Sequence, residues 1–282
     1  MNFYVIPNMT RANTFAVTTA LLEKLSELGC VAVLSSELED VFGKRKGVIY
    51  VNGDEGIAQS DMVIAVGGDG TFINAAKAAV NNHKPIICIN AGKLAYLACL
   101  EADELDLLRD VTEGRYVTEK RMMLSVNVID KDNKMLYHSN CVNDAVVSRS
   151  GNIRIMNISV YCNNAPLIDF SADGVIVATP TGSTAYSLSA GGPVVQPSVE
   201  SILVTPVCPH SVFSRSIVLG GESILQLAHD NSGEAILSCD GQEAVVIPSE
   251  AVVKIERSKD YATFIKIKAD TFIDVLNKKI SG

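Results

Sequence analysis

The sequence contains no Cys-x-x-Cys pair and no His-Glu-x-x-His, so the short signatures of a bound zinc are missing. Seven cysteines, at 30, 88, 99, 141, 162, 208 and 239, remain, several inside apolar runs where a reduced thiol behaves as a small hydrophobe. Cys208-Pro209-His210 offers two ligands without a second pair and reads as a structural turn, so no resident metal is expected. Basic runs are short too. The longest is Lys44-Arg45-Lys46, and 24 basic against 32 acidic residues give a formal charge of −8, which argues against nucleic acid or an anionic membrane as the main partner. No apolar stretch reaches the roughly 20 residues of a membrane-spanning helix. The start, Met1-Asn2-Phe3-Tyr4-Val5-Ile6-Pro7, lacks the basic region and cleavage site of a signal peptide, so a cytoplasmic location is expected. The Walker loop Gly-x4-Gly-Lys-Ser/Thr, the dinucleotide fingerprint Gly-x-Gly-x-x-Gly and the hydrolase elbow Gly-x-Ser-x-Gly are likewise absent.

What is present suffices for two domains: 282 residues, of which 48% are hydrophobic. Up to about residue 100, apolar runs at 3–6, 31–34, 62–66 and 86–89 alternate with helical patterns at 14–28 and 71–81, which predicts a parallel sheet with helices on its faces. From about Arg121 the pattern changes. Leu124, Val126 and Val128, then Met156, Ile158 and Val160, alternate with polar residues, and turn signals recur at Asn163-Asn164, Asp173-Gly174 and Asp240-Gly241. The expected architecture is an α/β domain over residues 1–100 and a β-rich domain over 101–260, with 103–115 a helix leading into the second. A strand and an amphipathic helix in 261–282 return to the first domain. A crevice between domains is the default place for a small-molecule site.

The strongest local signal is Gly67-Gly68-Asp69-Gly70-Thr71, directly after the apolar run 62–66. Phe72, Ala75, Ala76, Ala79 and Val80 follow at the spacing of one buried helical face, so a helix is expected to begin near Thr71. Glycines let the backbone turn tightly and approach a ligand, and the unpaired N–H groups of a first helical turn attract phosphate. A carboxylate there is out of place unless it holds a bridging Mg²⁺ or accepts a proton from an attacking hydroxyl. Both roles belong to phosphoryl transfer; the plain alternative is an aspartate capping its helix.

A second unusual stretch runs from Thr179 to Gly192, where an apolar strand leads into a loop dense in hydroxyls and glycine. Ser183 or Thr184 is expected to cap a short helix there, with Tyr186 offering a flat aromatic surface.

Taken together, these segments resemble the NAD kinase family. Gly67–Thr71, Asn143-Asp144, Asp173-Gly174, Thr179–Gly192, Thr205–His210 and Asp240-Gly241-Gln242 appear in the family's order. The glycine motif is shared with diacylglycerol, sphingosine and phosphofructo-kinases; the Thr-Pro-Thr-Gly-Ser-Thr-Ala-Tyr segment is specific. The resemblance implies transfer of the ATP γ-phosphoryl group to the adenosine-ribose 2′-hydroxyl of NAD, a divalent cation such as Mg²⁺ arriving with ATP, and a homodimer or homotetramer. It makes Asp69 the base and, with Gly70, a contact to NAD, while Gly67, Gly68, Gly70 and Thr71 form the phosphate loop. Asn143 and Asp144 bind NAD, the latter suited to a ribose diol. Asp173 lies at the nicotinamide end; Thr181, Thr184, Ala185, Tyr186, Ser187, Leu188 and Ser189 line the pocket; Asn74, Arg154 and Gln242 are further contacts.

Two departures stand out. Ala95 and Tyr96 replace the family's Gly and Phe in the segment 90–97, and Ser171 stands where many members carry Arg. Neither is expected to touch the base. A lipid kinase shares the glycine loop but gives no reason for Thr179–Gly192, and a non-catalytic NADP sensor gives none for Asp69.

Overall fold

A computed structural model describes residues 1–280 apart from 93–94, 152–154, 211–213 and 231–233. The chain divides into two units, Met1–Lys120 with Ala262–Gly282, and Arg121–Tyr261.

Unit 1 contains β1 (Asn2–Pro7), α1 (Thr14–Glu27), β2 (Val31–Ser35), α2 (Glu39–Phe42), β3 (Val48–Val51), α3 (Gly53–Gln59), β4 (Met62–Gly67), α4 (Asp69–Asn81), β5 (Ile86–Asn90), β6 (Leu100–Glu101) and α5 (Leu108–Thr112). The strands pair in parallel in the order β5-β4-β1-β2-β3. Such strands are covered on both faces, and this is why Met62–Gly67 and Ile86–Asn90 are buried along their whole length and read as unbroken apolar runs. Helix α1 contributes Leu21, Leu22 and Leu25 to the core, each worth about 1.5–3 kcal/mol on burial. Residues 101–120 pack here as well: Leu105, Leu108 and Val111 join the same core. The region 103–115 is a 3-10 turn, Leu105–Leu107, running into α5, not one continuous helix.

The β-rich half opens with β7 (Val117–Ile129), whose first residues lie in unit 1, and continues through β8 (Met135–Cys141), β9 (Asp144–Arg149), β10 (Met156–Cys162), β11 (Ala165–Ala172) and β12 (Gly174–Ala178). After α6 (Tyr186–Ser189) come β13 (Ser201–Val207), β14 (Ile217–Gly220), β15 (Leu225–His229), β16 (Ala235–Cys239), β17 (Val245–Ile247) and β18 (Val252–Lys266), the last strand leading to α7 (Phe272–Ile280). One antiparallel sheet runs β14-β13-β12-β9-β16-β17. In unit 2, β11, β10, β15 and the first part of β18 also pair antiparallel. Val175 and Val177 of β12 enter the main core, while Ile176 and Ala178 pack with Leu203 beneath Ala190 and Val195. That double burial explains the unbroken Gly-Val-Ile-Val-Ala run. Asn163 and Asn164 both take positive φ, the left-handed backbone of a tight hairpin turn between β10 and β11.

Within unit 1, Phe264 of β18 pairs in parallel with Ile86 of β5. Thr271 caps α7: its hydroxyl accepts from the Asp274 N–H, and the Asp274 carboxylate takes the Thr271 N–H at 2.8 Å.

Candidate active site

In unit 1 the chain leaves β1 toward β2 and β3 on one side, then returns through β4 and β5 on the other. β1 and β4 are therefore neighbours at the point where the strand order reverses, and the crevice beyond their carboxyl ends is where an open α/β sheet binds ligands. The loop after β4 is Gly68-Asp69-Gly70. Gly67 has no room for a side chain, since a Cβ would lie 2.4 Å from the Thr71 hydroxyl. Helix α4 starts at Asp69, two residues earlier than its apolar spacing suggests, with Gly68 at the N-cap and no side-chain cap. The Gly68 carbonyl accepts from the Thr71 and Phe72 N–H groups, while among the described residues the Asp69 and Gly70 N–H groups have no acceptor. These two donors, at the positive end of a 13-residue helix, form an anion-seeking turn.

Asp69 does not cap its helix. One carboxylate oxygen accepts the Tyr96 N–H at 2.8 Å and the other the Leu97 N–H at 2.9 Å. Both oxygens keep a lone pair, so the group is fixed in place yet still able to take a proton. The departures at 95 and 96 thus do reach the proposed base, through the backbone at Tyr96, whose N–H any side chain would leave intact. Asn8 secures the other side of the loop, donating from Nδ2 to the Thr71 hydroxyl at 2.9 Å while its own N–H bonds the Val66 carbonyl. Beside this loop, Asn13, Ala16, Ala91, Gly92, Glu101 and Asp103 line a cavity of about 330 Å³.

Unit 2 builds a second polar cluster around the start of β9. The Asp240 carboxylate collects three backbone N–H groups, from Val142 at 2.9 Å, Asn143 at 2.7 Å and Asp144 at 3.1 Å. Asp240 holds positive φ, followed by Gly241 in the same region, so the Asp-Gly pair forms the turn that aims this carboxylate. From the other side Thr179 donates its hydroxyl to the Val142 carbonyl at 2.6 Å and accepts the Gly182 N–H at 3.0 Å. Gly182 presses on the Asn143 backbone so closely that a Cβ would lie 2.2 Å from its carbonyl oxygen. Asn143 and Asp144 are thereby locked from two directions. Asp144 is only 5% exposed, and its carboxylate has no hydrogen-bond donor among the described residues. Burial pushes this carboxyl up to about 7, and the Asp240 charge adds to the effect.

The hydroxyl-rich segment differs from expectation. Ser183 donates to the Pro180 carbonyl at 2.6 Å and accepts the Val195 N–H, and Thr184 donates back to the Thr181 carbonyl. Neither caps α6, which spans four residues and carries no side-chain cap. The hydroxyls close their own 3-10 turn, Gly182–Thr184, because a Ser or Thr can bond the carbonyl three residues back. Ser187 is fully buried, bonded to the Thr205 hydroxyl, which in turn donates to Ser216. Thr181 is buried and accepts from Arg121 at the long limit of 3.5 Å; Ala185 is half-buried, and Tyr186, Leu188 and Ser189 are exposed.

Asp173 accepts from Arg149 Nε at 2.8 Å, and that guanidinium holds the Asp173 carboxyl below the usual carboxylate range. Ser171 donates to the Asn157 amide oxygen at 2.6 Å. Asn74 and Gln242 are exposed on α4 and after the Asp240-Gly241 turn, and Arg154 lies outside the described residues. The loops therefore gather Gly67, Gly68, Asp69, Gly70 and Thr71 in unit 1, and Asn143, Asp144 and Thr181 beside the Asp240 turn in unit 2. The role of one residue escaped the sequence reading: Asp240, whose partners lie 96–98 positions away. The Asp-Gly dipeptide signalled a turn at Asp240 but not the carboxylate's task.

The model of the ATP-NAD kinase N-terminal domain matches residues 44–116, and that of the ATP-NAD kinase C-terminal domain matches 142–267. An NAD kinase of Caldanaerobacter subterraneus subsp. tengcongensis is 39% identical over 98% of this chain and 98% of its own length. One from a Thermoanaerobacter species is 37% identical at the same coverage. Among solved structures, yeast NADH kinase complexed with NADH superposes with a TM-score of 0.88 at 23% identity, covering 100% of this chain and 87% of that one.

Proposed function

This chain belongs to the ATP-NAD kinase family and transfers the ATP γ-phosphoryl group to the adenosine-ribose 2′-hydroxyl of NAD, giving NADP; we propose how its residues divide that work. The observation that carries the assignment of roles is the Asp69 carboxylate, pinned by two backbone N–H groups at the head of an anion-seeking helix. Asp69 takes the proton of the 2′-hydroxyl as its oxygen attacks the γ-phosphorus and the bond to the bridging oxygen of ADP breaks. The Asp69 and Gly70 N–H groups, together with Gly67, Gly68 and Thr71, seat the phosphates. Asn143 and Asp144 hold ribose hydroxyls of NAD; Asp144, unpartnered and desolvated, accepts from a diol that supplies two donors. Asp173, Thr181, Thr184–Ser189, Asn74, Arg154 and Gln242 complete the contacts, with Tyr186 and Leu188 offering exposed apolar surface.

Mg²⁺ would arrive with ATP as part of the substrate, where it would offset phosphate charge. Among the described residues no three His, Cys, Asp or Glu side chains converge as a cage. We place the protein in the cytoplasm as a homodimer or homotetramer, to be checked by light scattering in solution; among the described residues no helix is long and apolar enough to cross a membrane. Neither the lipid-kinase nor the sensor reading gains support. The deciding experiment incubates purified protein with NAD, ATP and Mg²⁺, with diacylglycerol or sphingosine as the rival acceptor. NADP should form and no lipid should be phosphorylated, and chelation should stop turnover without shifting the thermal transition. Lipid phosphorylation, or no NADP, defeats the assignment.

The raised Asp144 carboxyl carries a pH dependence. An unfolded aspartate titrates near 4 and the folded one near 7, so across that interval the native state holds the extra proton and this group's stabilising contribution shrinks as pH rises. Binding moves the other way, since only the charged form accepts both diol protons. From pH 8 down to pH 6 the KM for NAD should rise about tenfold, following the fraction ionised. Asp144→Asn should flatten that profile, and a parallel profile in the variant would remove Asp144 from ribose binding.

A further inference from the structure

We propose that Arg11 is a further binding residue for the kinase reaction, clamping the polyphosphate of the donor nucleotide against the Gly68-Asp69-Gly70 turn. This rests on the activity stated above and adds a residue to it. Arg11 lies in the loop between β1 and α1, on the β1 side of the strand-order reversal, opposite the glycine loop that follows β4. Its guanidinium lies over two glycines. A Cβ on Gly68 would stand 3.2 Å from Cζ, 3.2 Å from one terminal nitrogen and 3.3 Å from the other, and one on Gly92 would stand 3.0 Å from a terminal nitrogen.

The near equality of those three distances has a geometric meaning: the Gly68 position faces the flat of the guanidinium, not its edge. The N–H donors of an arginine radiate in the plane of the fork, so the edge that makes hydrogen bonds runs alongside the loop and does not point into Gly68. Among the described residues no carboxylate pairs with Arg11, whose side chain is exposed. Asp69, the acidic residue of the glycine loop, is held by the backbone N–H groups of Tyr96 and Leu97, not by Arg11.

A permanent cation beside the positive end of α4 is electrostatically unfavourable by itself, and the Asp69 and Gly70 donors there are also unpaired. An anion with several oxygens satisfies both sets of donors together. A planar fork meets a phosphate through two parallel N–H···O bonds, so the ligand class is a polyphosphate. The backbone holds the clamp ready. Asn8, three residues before Arg11, bonds Val66 and Thr71, and the Arg11 N–H closes a turn on the Asn8 carbonyl at 3.2 Å.

The test compares the parent protein with Arg11→Gln and Arg11→Lys, varying ATP and NAD separately, with inorganic tripolyphosphate as a probe competing with ATP. Loss of a charge-assisted pair of hydrogen bonds should raise the KM for ATP and the inhibition constant of tripolyphosphate together, by about 10- to 100-fold in Arg11→Gln. Arg11→Lys, a point charge without the fork, should fall between. The KM for NAD should stay within about twofold of the parent and the thermal transition should not move, since the side chain is exposed. Gly68→Ala provides a second route, because its methyl pushes the guanidinium by a few tenths of an ångström and should weaken tripolyphosphate in the same direction, by less than Arg11→Gln. Unchanged ATP and tripolyphosphate constants in Arg11→Gln overturn the clamp, as does an equal rise in the KM for NAD. A parent that makes no NADP overturns the underlying activity instead, and direct tripolyphosphate binding to parent and variant still decides the clamp.

Discussion

Asp69→Asn should fold, bind NAD, and turn over about 10²–10⁴-fold more slowly, the loss that removing general-base assistance commonly brings. The geometry sharpens the expectation. Each Asp69 oxygen accepts one backbone N–H, so an asparagine must present its amide N–H₂ to either Tyr96 or Leu97. That contact becomes donor against donor and should cost about 1–3 kcal/mol, visible as a modest fall in the thermal transition. Loss of the base and loss of the anchor are separable, because the anchor affects stability whereas the base affects turnover at saturating substrate. A variant with the parent's turnover number removes Asp69 from the proton-transfer role.

The second large effect is expected at a residue that touches no substrate in our assignment. Asp240→Ala leaves the N–H groups of Val142, Asn143 and Asp144 without their acceptor in a part-buried setting. Together they should cost about 2–4 kcal/mol of stability. With the strand start released, Asn143 and Asp144 lose their fixed positions, and the KM for NAD should rise at least about tenfold while the KM for ATP holds. Removing the Asp240 charge also takes away the smaller cause of the raised Asp144 carboxyl, so its titration should move toward the ordinary aspartate range. Kinetics on each substrate, a melting curve and the pH profile give three readings. An unaltered melting curve with an unaltered NAD constant defeats the anchoring role.

How far these features could be read from sequence depended on how local their causes are. The run 62–66, the glycine loop and the buried face of α4 follow from nearest-neighbour patterning, and the structure differs only in starting α4 at Asp69, where Gly68 supplies the cap position. β3 and α3 were invisible for the opposite reason. Val48–Val51 is short and half-exposed, and Gly53–Gln59 begins with one glycine and contains a second, a poor helical signature that tertiary packing overrides. The hydroxyls of Ser183 and Thr184 were legible as hydrogen-bonding groups, but their direction was not, since the same side chain either caps a helix or bonds back to a carbonyl. The family resemblance pointed to Asp144, yet its environment comes from the Asp240 turn almost a hundred residues later, a pairing no local pattern encodes.

The discontinuity of unit 1 bears on how the molecule is made. Strand β5, at residues 86–90, gains its partner Phe264 only after some 170 further residues have been synthesised, and α7 follows later still. Unit 2 is contiguous from Arg121 to Tyr261, so all of it has left the ribosome before the first unit receives its last strand. During translation the β5 edge stays unpaired next to Ile86 for that whole interval, a period of several seconds or more at about 5–20 residues per second, and it is this edge that a chaperone or a neighbouring nascent chain would meet.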